Sequence, residues 1–334
     1  MVKNLGSTLR SRGWRLLLVP LWLGACATTP GPMLHLESSR VTVDLEHPHR
    51  RRFGELELMT ALALRADHPR FGGLSGLELA PDGTLFMISD RGYWLQTRLE
   101  QAADGTLTGL SQLQIHPLLD TAGRPVHAPL HDAESIARDS DGSYLVGFEW
   151  NHRIWRYRPD LARGRPVALK LPAALAGAPG NGSLESLAVL PDGRLLFVCE
   201  HHENPDGTLR GWIGREGAFA AVSYVATDDF VPTDLAVVPG TGQVLVLERA
   251  FSLWRMQRSR IRVLSLNDLR PGARLEPREL VRLGPPLQLD NFEGLAVQRH
   301  GAGILLYLIS DDNFSRLQRT LLYQFRLRDA GGAR

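Results

Sequence analysis

The chain has 334 residues, 43% of them hydrophobic, which is enough to bury a large core in one domain. Its 38 basic and 36 acidic residues nearly cancel, and without the first 25 residues, which hold four basic groups and no acid, the formal charge changes from +2 to −2. This balance excludes a protein that binds nucleic acid through a broad basic surface.

The N-terminus has the pattern of an export signal. Four basic residues precede the apolar run from Leu16 to Leu23, which is too short to span a bilayer as a permanent helix. The following segment, Leu23-Gly24-Ala25-Cys26, resembles the lipobox of bacterial lipoproteins. The resemblance implies that residues 1–25 are removed and that Cys26 is acylated. The alternative is an ordinary signal peptide that is cleaved near residue 25 or 27.

The residues after Cys26 bear on localisation. Ala27 and Thr28 stand where bacterial lipoproteins retained in the inner membrane carry an aspartate, so the resemblance implies an outer-membrane lipoprotein facing the periplasm. Residues 26–37 would form a tether, and the lipid would be the only contact with the membrane. Cys199 is the only other cysteine, so acylation of Cys26 would exclude an intramolecular disulfide.

A strand-turn-strand unit recurs five times along the rest of the chain. In the first unit, Leu77-Glu78-Leu79 leads through the turn Pro81-Asp82-Gly83 to the second strand, Leu85 to Ile88. Asp-Gly favours the positive φ of a hairpin connection, so the two strands should be antiparallel. The units begin at Ser75, Glu134, Glu185, Thr233 and Glu293.

The spacing of these units predicts an all-β protein, a β-propeller over residues 38–330. The steps of 59, 51, 48 and 60 residues between units leave room for four strands in each blade. Candidate outer strands are Ile154–Tyr157, Ala221–Val225 and Ile261–Leu264. Residues 38–60 and Thr320–Leu327 should form a sixth blade from both ends of the chain, since closure of the ring removes exposed sheet edges.

Several segments together resemble the phytase-like family, also called esterase-like activity of phytase, over residues 55–328. The segments that carry the resemblance are Gly73-Leu74-Ser75-Gly76-Leu77, Ser89-Asp90-Arg91-Gly92, Asp132-Ala133-Glu134-Ser135-Ile136, Asn181 to Leu187 with Glu200, Leu247-Glu248-Arg249, Asp290-Asn291-Phe292-Glu293-Gly294-Leu295, and Ser310 to Ser315 followed by Gln318-Arg319-Thr320. The family name implies hydrolysis of an ester or a phosphate ester. The sequence departs from the family at Ser135 and Ser186, where glycine is expected, and serine is tolerated there unless φ is positive.

The innermost strand of a propeller blade lines the central channel, so acids at equivalent places in different blades should meet at one face. Such clusters repel unless a cation, protons or arginines compensate them, and oxygen ligands favour Ca²⁺ or Mg²⁺ over zinc. We therefore predict a divalent-cation site, with Ca²⁺ preferred. The predicted ligands are Glu134, Glu185, Glu293, Asp90, Glu200 and Asp311.

A structural role is the alternative for the acids at the ends of the second strands. Glu149, Glu200 and Glu248 could instead accept hydrogen bonds from backbone amides of the next blade and hold the ring together. The ring of first-strand acids is asymmetric, because Ser75 and Thr233 replace glutamate in two units. A purely structural device should recur in every blade, so this asymmetry favours a site for Glu134, Glu185 and Glu293.

The predicted catalytic residues combine these acids with neighbouring bases. Arg91 and Arg249 could neutralise carboxylates or bind a phosphate, and His201, beside Glu200, could act as a general base near neutral pH. The set is Glu134, Glu185, Glu293, His201, Arg91 and Arg249. Cys199 lies in an apolar run, which indicates a core thiol rather than a nucleophile.

Two functions follow from these residues. The first is a metal-dependent hydrolase, a monomer acting on a small-molecule ester or phosphate ester, with no nucleic acid as partner. The second is a non-catalytic periplasmic propeller that binds a ligand or a protein and in which the cation is structural. No complete serine or cysteine nucleophile motif occurs in the sequence to favour a third.

Overall fold

The computed structural model describes residue 1 and residues 33–159, 164–252, 254 and 256–328. The predicted signal peptide, apart from residue 1, and the predicted acylation site Cys26 lie outside these residues. Among the described residues, no helix is long and apolar enough to cross a membrane. Among the described residues of the unit 31–334, the regular elements are β-strands apart from two short 3-10 helices.

The strands of the described part of the chain form five separate sheets, which are the blades. Three strands precede the first blade: β1 (Glu37–Arg40), β2 (Arg52–Phe53) and β3 (Leu56–Arg65). Blade 1 contains β4 (Leu74–Leu79), β5 (Thr84–Ser89), β6 (Tyr93–Gln101) and β7 (Leu107–Pro117). Blade 2 contains β8 (Ala133–Arg138), β9 (Tyr144–Phe148), β10 (Arg153–Tyr157) and β11 (Val167–Ala168).

The chain segment that forms the next two blades passes from blade 4 back to blade 3 for one short strand. Blade 3 contains β12 (Ser186–Val189), β13 (Leu195–Glu203), β14 (Leu209–Arg215) and β15 (Ala218–Tyr224). Blade 4 begins with β16 (Val231–Val238), β17 (Gln243–Ser252) and β18 (Met256–Ser265). The chain then adds β19 (Arg274–Leu275) to blade 3, parallel to β15, and returns to blade 4 as β20 (Arg278–Leu283). Two short 3-10 helices, Ala173–Gly177 and Leu266–Asp268, lie in connections.

Blade 5 closes the ring with strands from both ends of the chain. Its C-terminal strands are β21 (Asn291–His300), β22 (Gly303–Asp311) and β23 (Thr320–Leu327). β3 pairs antiparallel with β23, β1 pairs with β3, and β2 also pairs with β3. The innermost strands β4, β8, β12, β16 and β21 each contact the next around the ring, and β21 contacts β4.

The predicted β-propeller is confirmed, but the predicted number of six blades is wrong, because there are five. Residues 38–60 and Thr320–Leu327 do not form a blade of their own. They supply the outer strands of the fifth repeat, whose own hairpin, β21–β22, has no other outer partner. Closure by both ends of the chain was therefore predicted correctly, and the blade to which those ends belong was not.

The core lies between the blades. Each pair of neighbouring blades encloses one cluster of buried side chains, rich in Leu, Ile, Val and aromatic residues. Between blades 1 and 2, for example, the rings of Phe86 and Tyr144 pack with centroids 4.8 Å apart. Each such fully buried side chain contributes about 1.5–3 kcal/mol. Cys199 is fully buried between blades 2 and 3, as its apolar neighbours predicted.

The hairpin turns follow the predicted chemistry. At the first turn, Gly83 has a φ of +84°, which glycine adopts without steric cost, and Asp82 Oδ1 accepts a hydrogen bond from the Thr84 N–H at 3.0 Å. The corresponding glycines of the next two turns, Gly142 and Gly193, also have positive φ. These turns direct each innermost strand back outward and fix the antiparallel register of the blades.

Candidate functional site: an acidic cavity at one end of the channel

A cavity of about 630 Å³ opens at the end of the channel where the innermost strands begin. Residues from all five blades or their connecting loops line it. Its polar lining consists of Ser75, Asp90, Asp132, Glu134, Asn181, Glu185, Arg249, Gln257, Asp290, Asn291, Glu293, Asp311, Asn313 and Gln318. We call this the acidic cavity. It contains five of the six predicted cation ligands.

β-bulges turn the key residues toward the cavity. In four blades the pairing of the innermost strand with its neighbour skips one residue, which is Ser75, Glu134, Thr233 or Glu293. A bulge leaves the extra residue out of the ladder and re-aims its side chain. In blade 3, Glu185 takes the equivalent place immediately before β12. The repeat therefore delivers three glutamates, one serine and one threonine to the same level of the channel, and all of them except Thr233 line the cavity.

The three glutamates are buried despite their charge. Glu134, Glu185 and Glu293 are 8%, 4% and 5% exposed. Burial raises the pKa of Glu134 and of Glu185 well above the ordinary value, and neighbouring acids, first Glu185 for Glu134 and first Glu200 for Glu185, raise each further. Burial also raises the pKa of Glu293 to about 8, against the lowering effect of Arg249. At neutral pH the cavity therefore favours proton uptake or a bound cation.

Two aspartates at strand ends share this behaviour. Burial raises the pKa of Asp311 to about 7, and Asp90 adds to the effect, although the Asn313 N–H donates to Asp311 Oδ1 at 2.6 Å. Burial and Asp132 raise the pKa of Asp90 to about 6. Because both groups titrate near neutrality, the charge of the cavity depends on pH in the physiological range.

Arg249 supplies positive charge to one wall. Its Nη2 lies 3.0 Å from Glu200 Oε1, its Nε lies 3.6 Å from Glu293 Oε1, and its Nη1 donates to Asn291 Oδ1 at 3.2 Å. Burial opposes its charge, but Glu293, Glu200 and Glu185 outweigh burial and raise its pKa. Arg249 thus stays cationic and is shared by acids of blades 3 and 5.

A second wall holds a compact group of carboxylates. Oxygens of Asp132, Glu134 and Glu149 lie within 4.8 Å of one another. Glu149 is fully buried, and its carboxylate accepts hydrogen bonds from the N–H groups of Gly182, Ser183 and Leu184 in the next blade, at 2.9 Å for Gly182. Glu149 therefore has the structural role that was the alternative for strand-end acids. It also belongs to the group of three carboxylates that could hold a cation.

The donor set suits a hard divalent cation. Carboxylate and amide oxygens dominate the lining, and Ca²⁺ prefers six to eight such ligands whereas zinc prefers nitrogen and sulfur. Among the described lining residues there is no histidine or cysteine. Bringing buried carboxylates this close is unfavourable unless positive charge or protons compensate them. The residues of the acidic cavity therefore fit a calcium-type ion.

Three predicted site residues lie away from the cavity lining. Arg91 is exposed, and its guanidinium stacks 3.3 Å over the ring of Phe314. His201 is exposed, with Nε2 3.3 Å from Glu200 Oε2. Glu200 is buried beneath Arg249 rather than on the cavity surface.

Glu248 is also separate from the cavity lining. This fully buried acid accepts a hydrogen bond from the Tyr224 hydroxyl at 2.7 Å and pairs with Arg260 and Arg262. Its partners belong to blade 3 and blade 4, so Glu248 links strands and does not contribute to the cavity.

Some lining residues were not assigned to the site from the sequence. Gln257 donates to Asn291 Oδ1 at 2.7 Å, and Gln318 donates to Asp290 Oδ1 at 3.1 Å. Asp290, Asn291 and Gln318 stand in the segments that carry the family resemblance, whereas Gln257 lies on an outer strand whose length the repeat does not specify. Apolar lining residues were also missed: Phe251, Met256, Leu289 and Leu317.

The two serines that depart from the family pattern are accommodated. Ser135 and Ser186 are not among the residues with positive φ, so a side chain is allowed. Ser135 Oγ donates to the carbonyl of Leu184 in the next blade at 2.6 Å, and Ser186 Oγ donates to Val198 O at 3.0 Å. Each serine therefore adds a hydrogen bond where the family expectation was glycine.

Comparison with known families agrees with this architecture. The family model for Phytase-like: Esterase-like activity of phytase matches residues 69–314, most of the chain and all five hairpin repeats apart from flanking strands. No curated protein matches the chain.

Similar solved structures differ widely in sequence. They include the catalytic domain of an alpha-L-arabinofuranosidase from Coprinopsis cinerea, which is 11% identical with a TM-score of 0.50, covering 88% of this chain and 97% of that chain. An alpha-L-arabinofuranosidase from Podospora anserina, solved with cellotriose, is 9% identical with a TM-score of 0.48, covering 78% and 93%. PQQ-bound aldose sugar dehydrogenase from Streptomyces coelicolor is 12% identical with a TM-score of 0.43, covering 89% and 100%. At these identities the likeness concerns the fold alone.

Proposed function

Because the chain belongs to the phytase-like family, described as esterase-like activity of phytase, we propose that it hydrolyses a phosphate ester or another ester in the acidic cavity with the help of a divalent cation, most simply Ca²⁺. The substrate would be a small molecule that fits a cavity of about 630 Å³. A monomer would suffice, because residues of this one chain line the whole cavity.

One observation carries the proposal. Glu134, Glu185 and Glu293 come from three different blades or the loops that lead into them, and all three are buried against one cavity. Burying three carboxylates together lowers the stability of the fold, and β-bulges direct two of them, Glu134 and Glu293, into the cavity. Such an arrangement is typical of a functional site rather than of packing.

The chain's own residues could perform the proton transfers. A carboxyl group with a raised pKa holds a proton at neutral pH and can donate it to a leaving oxygen, while an ionised neighbour accepts a proton from water. Arg249 remains cationic and can stabilise negative charge that develops on the ester. When bound, a divalent cation would polarise the ester and lower the pKa of a water molecule.

Hydrolysis measurements test the proposal. 4-Nitrophenyl phosphate, 4-nitrophenyl acetate and inositol phosphates should be assayed with and without EDTA, and CaCl₂ should then be added back. We expect turnover of at least one substrate that EDTA abolishes and calcium restores. Glu134→Gln should lower kcat/KM at least about 100-fold, a typical loss for a general acid or base. Absence of chelator-sensitive turnover on all of these substrates would contradict the proposal.

A binding function is the second candidate, and one observation favours it. Among the described residues that line the cavity, no histidine, cysteine or lysine accompanies Ser75, so the usual nucleophile-base pair is not available there. In this case calcium would raise the melting temperature without enabling turnover. Glu134→Gln and Glu293→Gln would then change ligand binding and stability but no reaction rate.

We also propose that the mature protein is an outer-membrane lipoprotein facing the periplasm, anchored through acylated Cys26. The support is the sequence Leu23-Gly24-Ala25-Cys26 with Ala27 and Thr28 after it. Fractionation of cells tests this: Cys26→Ala should move the protein out of the membrane fraction. Membrane association that survives this substitution would contradict the proposal.

A further inference from the structure

Large apolar side chains surround the mouth of the acidic cavity on one side. Phe251, Met256 and Leu317 line the cavity and yet are 61%, 58% and 96% exposed, and Trp254, between the first two, is 96% exposed. We call these four residues the apolar rim. Exposure of single apolar residues is common, but three that line one polar cavity, with a fourth in the same hairpin, indicate a binding surface.

The rim belongs to two loops of adjacent blades. Phe251, Trp254 and Met256 lie at the tip of the β17–β18 hairpin, where Ser252 pairs with Met256. Leu317 lies between β22 and β23. Leaving hydrophobic side chains in water forgoes the free energy of burying them. Their place is therefore better explained by a ligand than by folding.

Polar anchors hold both loops beside the cavity. Gln257, next to Met256, donates to Asn291, and Gln318, next to Leu317, donates to Asp290. Asp290 immediately precedes β21 and Asn291 begins it, two residues before the buried Glu293. The apolar rim and the acidic floor are thus connected through one short segment of the chain.

Backbone conformation at Met256 adds an independent observation. Its φ is +54°, in the left-handed region that residues other than glycine, asparagine and aspartate seldom adopt. Strain of this kind costs on the order of a kcal/mol and is concentrated at functional sites. The hairpin therefore presents a methionine at a position where a glycine would be less strained.

From this geometry we infer that the protein acts on amphiphilic esters, in which a polar ester or phosphate group reaches the acidic floor and an alkyl or aryl chain lies on the apolar rim. The inference rests on the proposed function and adds the class of substrate. A small, fully polar ester would leave the rim in water, whereas an ester with an apolar chain would cover it. Phe251, Met256 and Leu317 then determine specificity without taking part in the reaction.

A chain-length series tests the inference. In 4-nitrophenyl acetate, butyrate and octanoate, each methylene that becomes fully buried should improve kcat/KM by up to about fourfold. We expect the wild type to prefer octanoate over acetate by at least about tenfold, allowing for partial burial. The double variant Phe251→Ser/Leu317→Ser should lose most of this preference, so that its kcat/KM on octanoate falls toward its own value on acetate. Val167→Ser, which alters an apolar residue 66% exposed on the outer strand β11, is the matched control and should keep the preference.

Binding measurements separate the inference from the proposed function. Octyl phosphate and ethyl phosphate can be titrated into the calcium-loaded protein by calorimetry, which requires no turnover. Tighter binding of octyl phosphate that Phe251→Ser/Leu317→Ser abolishes supports the inference even where no ester is hydrolysed. Equal affinity for the two phosphates overturns it. The inference is also overturned if Phe251→Ser/Leu317→Ser binds both phosphates like the wild type and loses only its binding to phosphatidylglycerol vesicles. The rim would then contact a lipid surface rather than a substrate chain.

Discussion

Arg249 Nη2 lies 3.0 Å from Glu200 Oε1, so a cation of blade 4 meets a buried anion of blade 3 beneath the acidic cavity. The same guanidinium reaches Glu293 of blade 5 at 3.6 Å. Three blades therefore depend on one positive charge, and the pKa values of the cavity acids depend on it as well.

Replacing Arg249 should destabilise the protein strongly. Arg249→Gln leaves Glu200 and Glu293 buried without their cation, and breaking a buried pair by removing one partner costs about 3–5 kcal/mol. Urea denaturation at pH 8 measures this loss in the free energy of unfolding. Arg249→Lys keeps the charge and should lose less. A free energy of unfolding for Arg249→Gln equal to that of the wild type would contradict the role given to this residue.

Glu134 and Glu248 provide a contrast between two buried acids. Glu248→Gln removes the partner of Arg260 and Arg262, so it should lower the free energy of unfolding by about 3–5 kcal/mol and leave calcium affinity unchanged. Glu134→Gln removes an acid that repels its neighbours. It should leave the cation-free protein as stable as the wild type or more so, and it should weaken calcium binding. Calorimetry and denaturation of both variants check this, and the opposite ranking would contradict the assignment.

The raised pKa values predict how stability depends on pH. Glu293, with a pKa raised to about 8, and Asp311, with a pKa raised to about 7, bind protons more tightly in the folded state than in the unfolded state. Their contribution to the free energy of unfolding is complete below about pH 4 and is lost as the pH rises through 7 and 8. The loss is at most about 1.4 kcal/mol per pH unit for each group. In EDTA, the stability of the wild type relative to Glu293→Gln should therefore fall between pH 5 and pH 9. A difference that stays constant with pH would contradict the shift.

Calcium should reverse this dependence. Carboxylates must lose their protons before they bind a cation, so calcium affinity should rise with pH over the same interval. The melting temperature in saturating CaCl₂ minus that in EDTA should be larger at pH 8 than at pH 6. A difference that is equal at both pH values, or larger at pH 6, would argue against these carboxylates as ligands.

Gly294 is needed for close packing beside Glu293. A Cβ at this position would lie 2.6 Å from Ile309 Cγ2 and 2.8 Å from Leu77 Cβ, so Gly294→Ala should cost about 1–3 kcal/mol through overpacking. It should also displace the bulge that presents Glu293 and weaken calcium binding. Ser135→Gly, at the equivalent place in blade 2, loses only one hydrogen bond and is the comparison. Equal stability of the two variants would contradict this account.

The sequence predicted much of this molecule, because its signals were local and repeated. Each Asp-Gly turn indicated a hairpin, and the five hairpins together indicated the radial fold that brings Glu134, Glu185 and Glu293 to one cavity. The number of blades was predicted incorrectly, because β23 pairs with β22 and joins the closing strands to the fifth hairpin. Nothing in the repeat indicates whether those strands extend that hairpin or form a blade of their own.

Side-chain roles were harder to predict than positions. Arg91 and Arg249 each directly follow an acidic residue at the end of a second strand of the repeat, yet Arg91 stacks on Phe314 and Arg249 enters the cavity wall. Glu149 and Glu248 occupy equivalent strand ends, but one binds backbone amides and the other binds two arginines. Phe314 and the amides that bind Glu149 belong to neighbouring blades, whereas Arg260 and Arg262 lie on β18 of the same blade as Glu248. The repeat specifies neither kind of partner.

Anomalous diffraction from a crystal grown in CaCl₂ and soaked in MnCl₂ would test most directly whether Glu134, Glu185 and Glu293 share a divalent-cation site. We predict a peak in the acidic cavity within about 2.5 Å of carboxylate oxygens from at least two blades, which disappears in Glu134→Gln. A cavity without a peak at saturating cation, or a peak unchanged in that variant, would contradict the account.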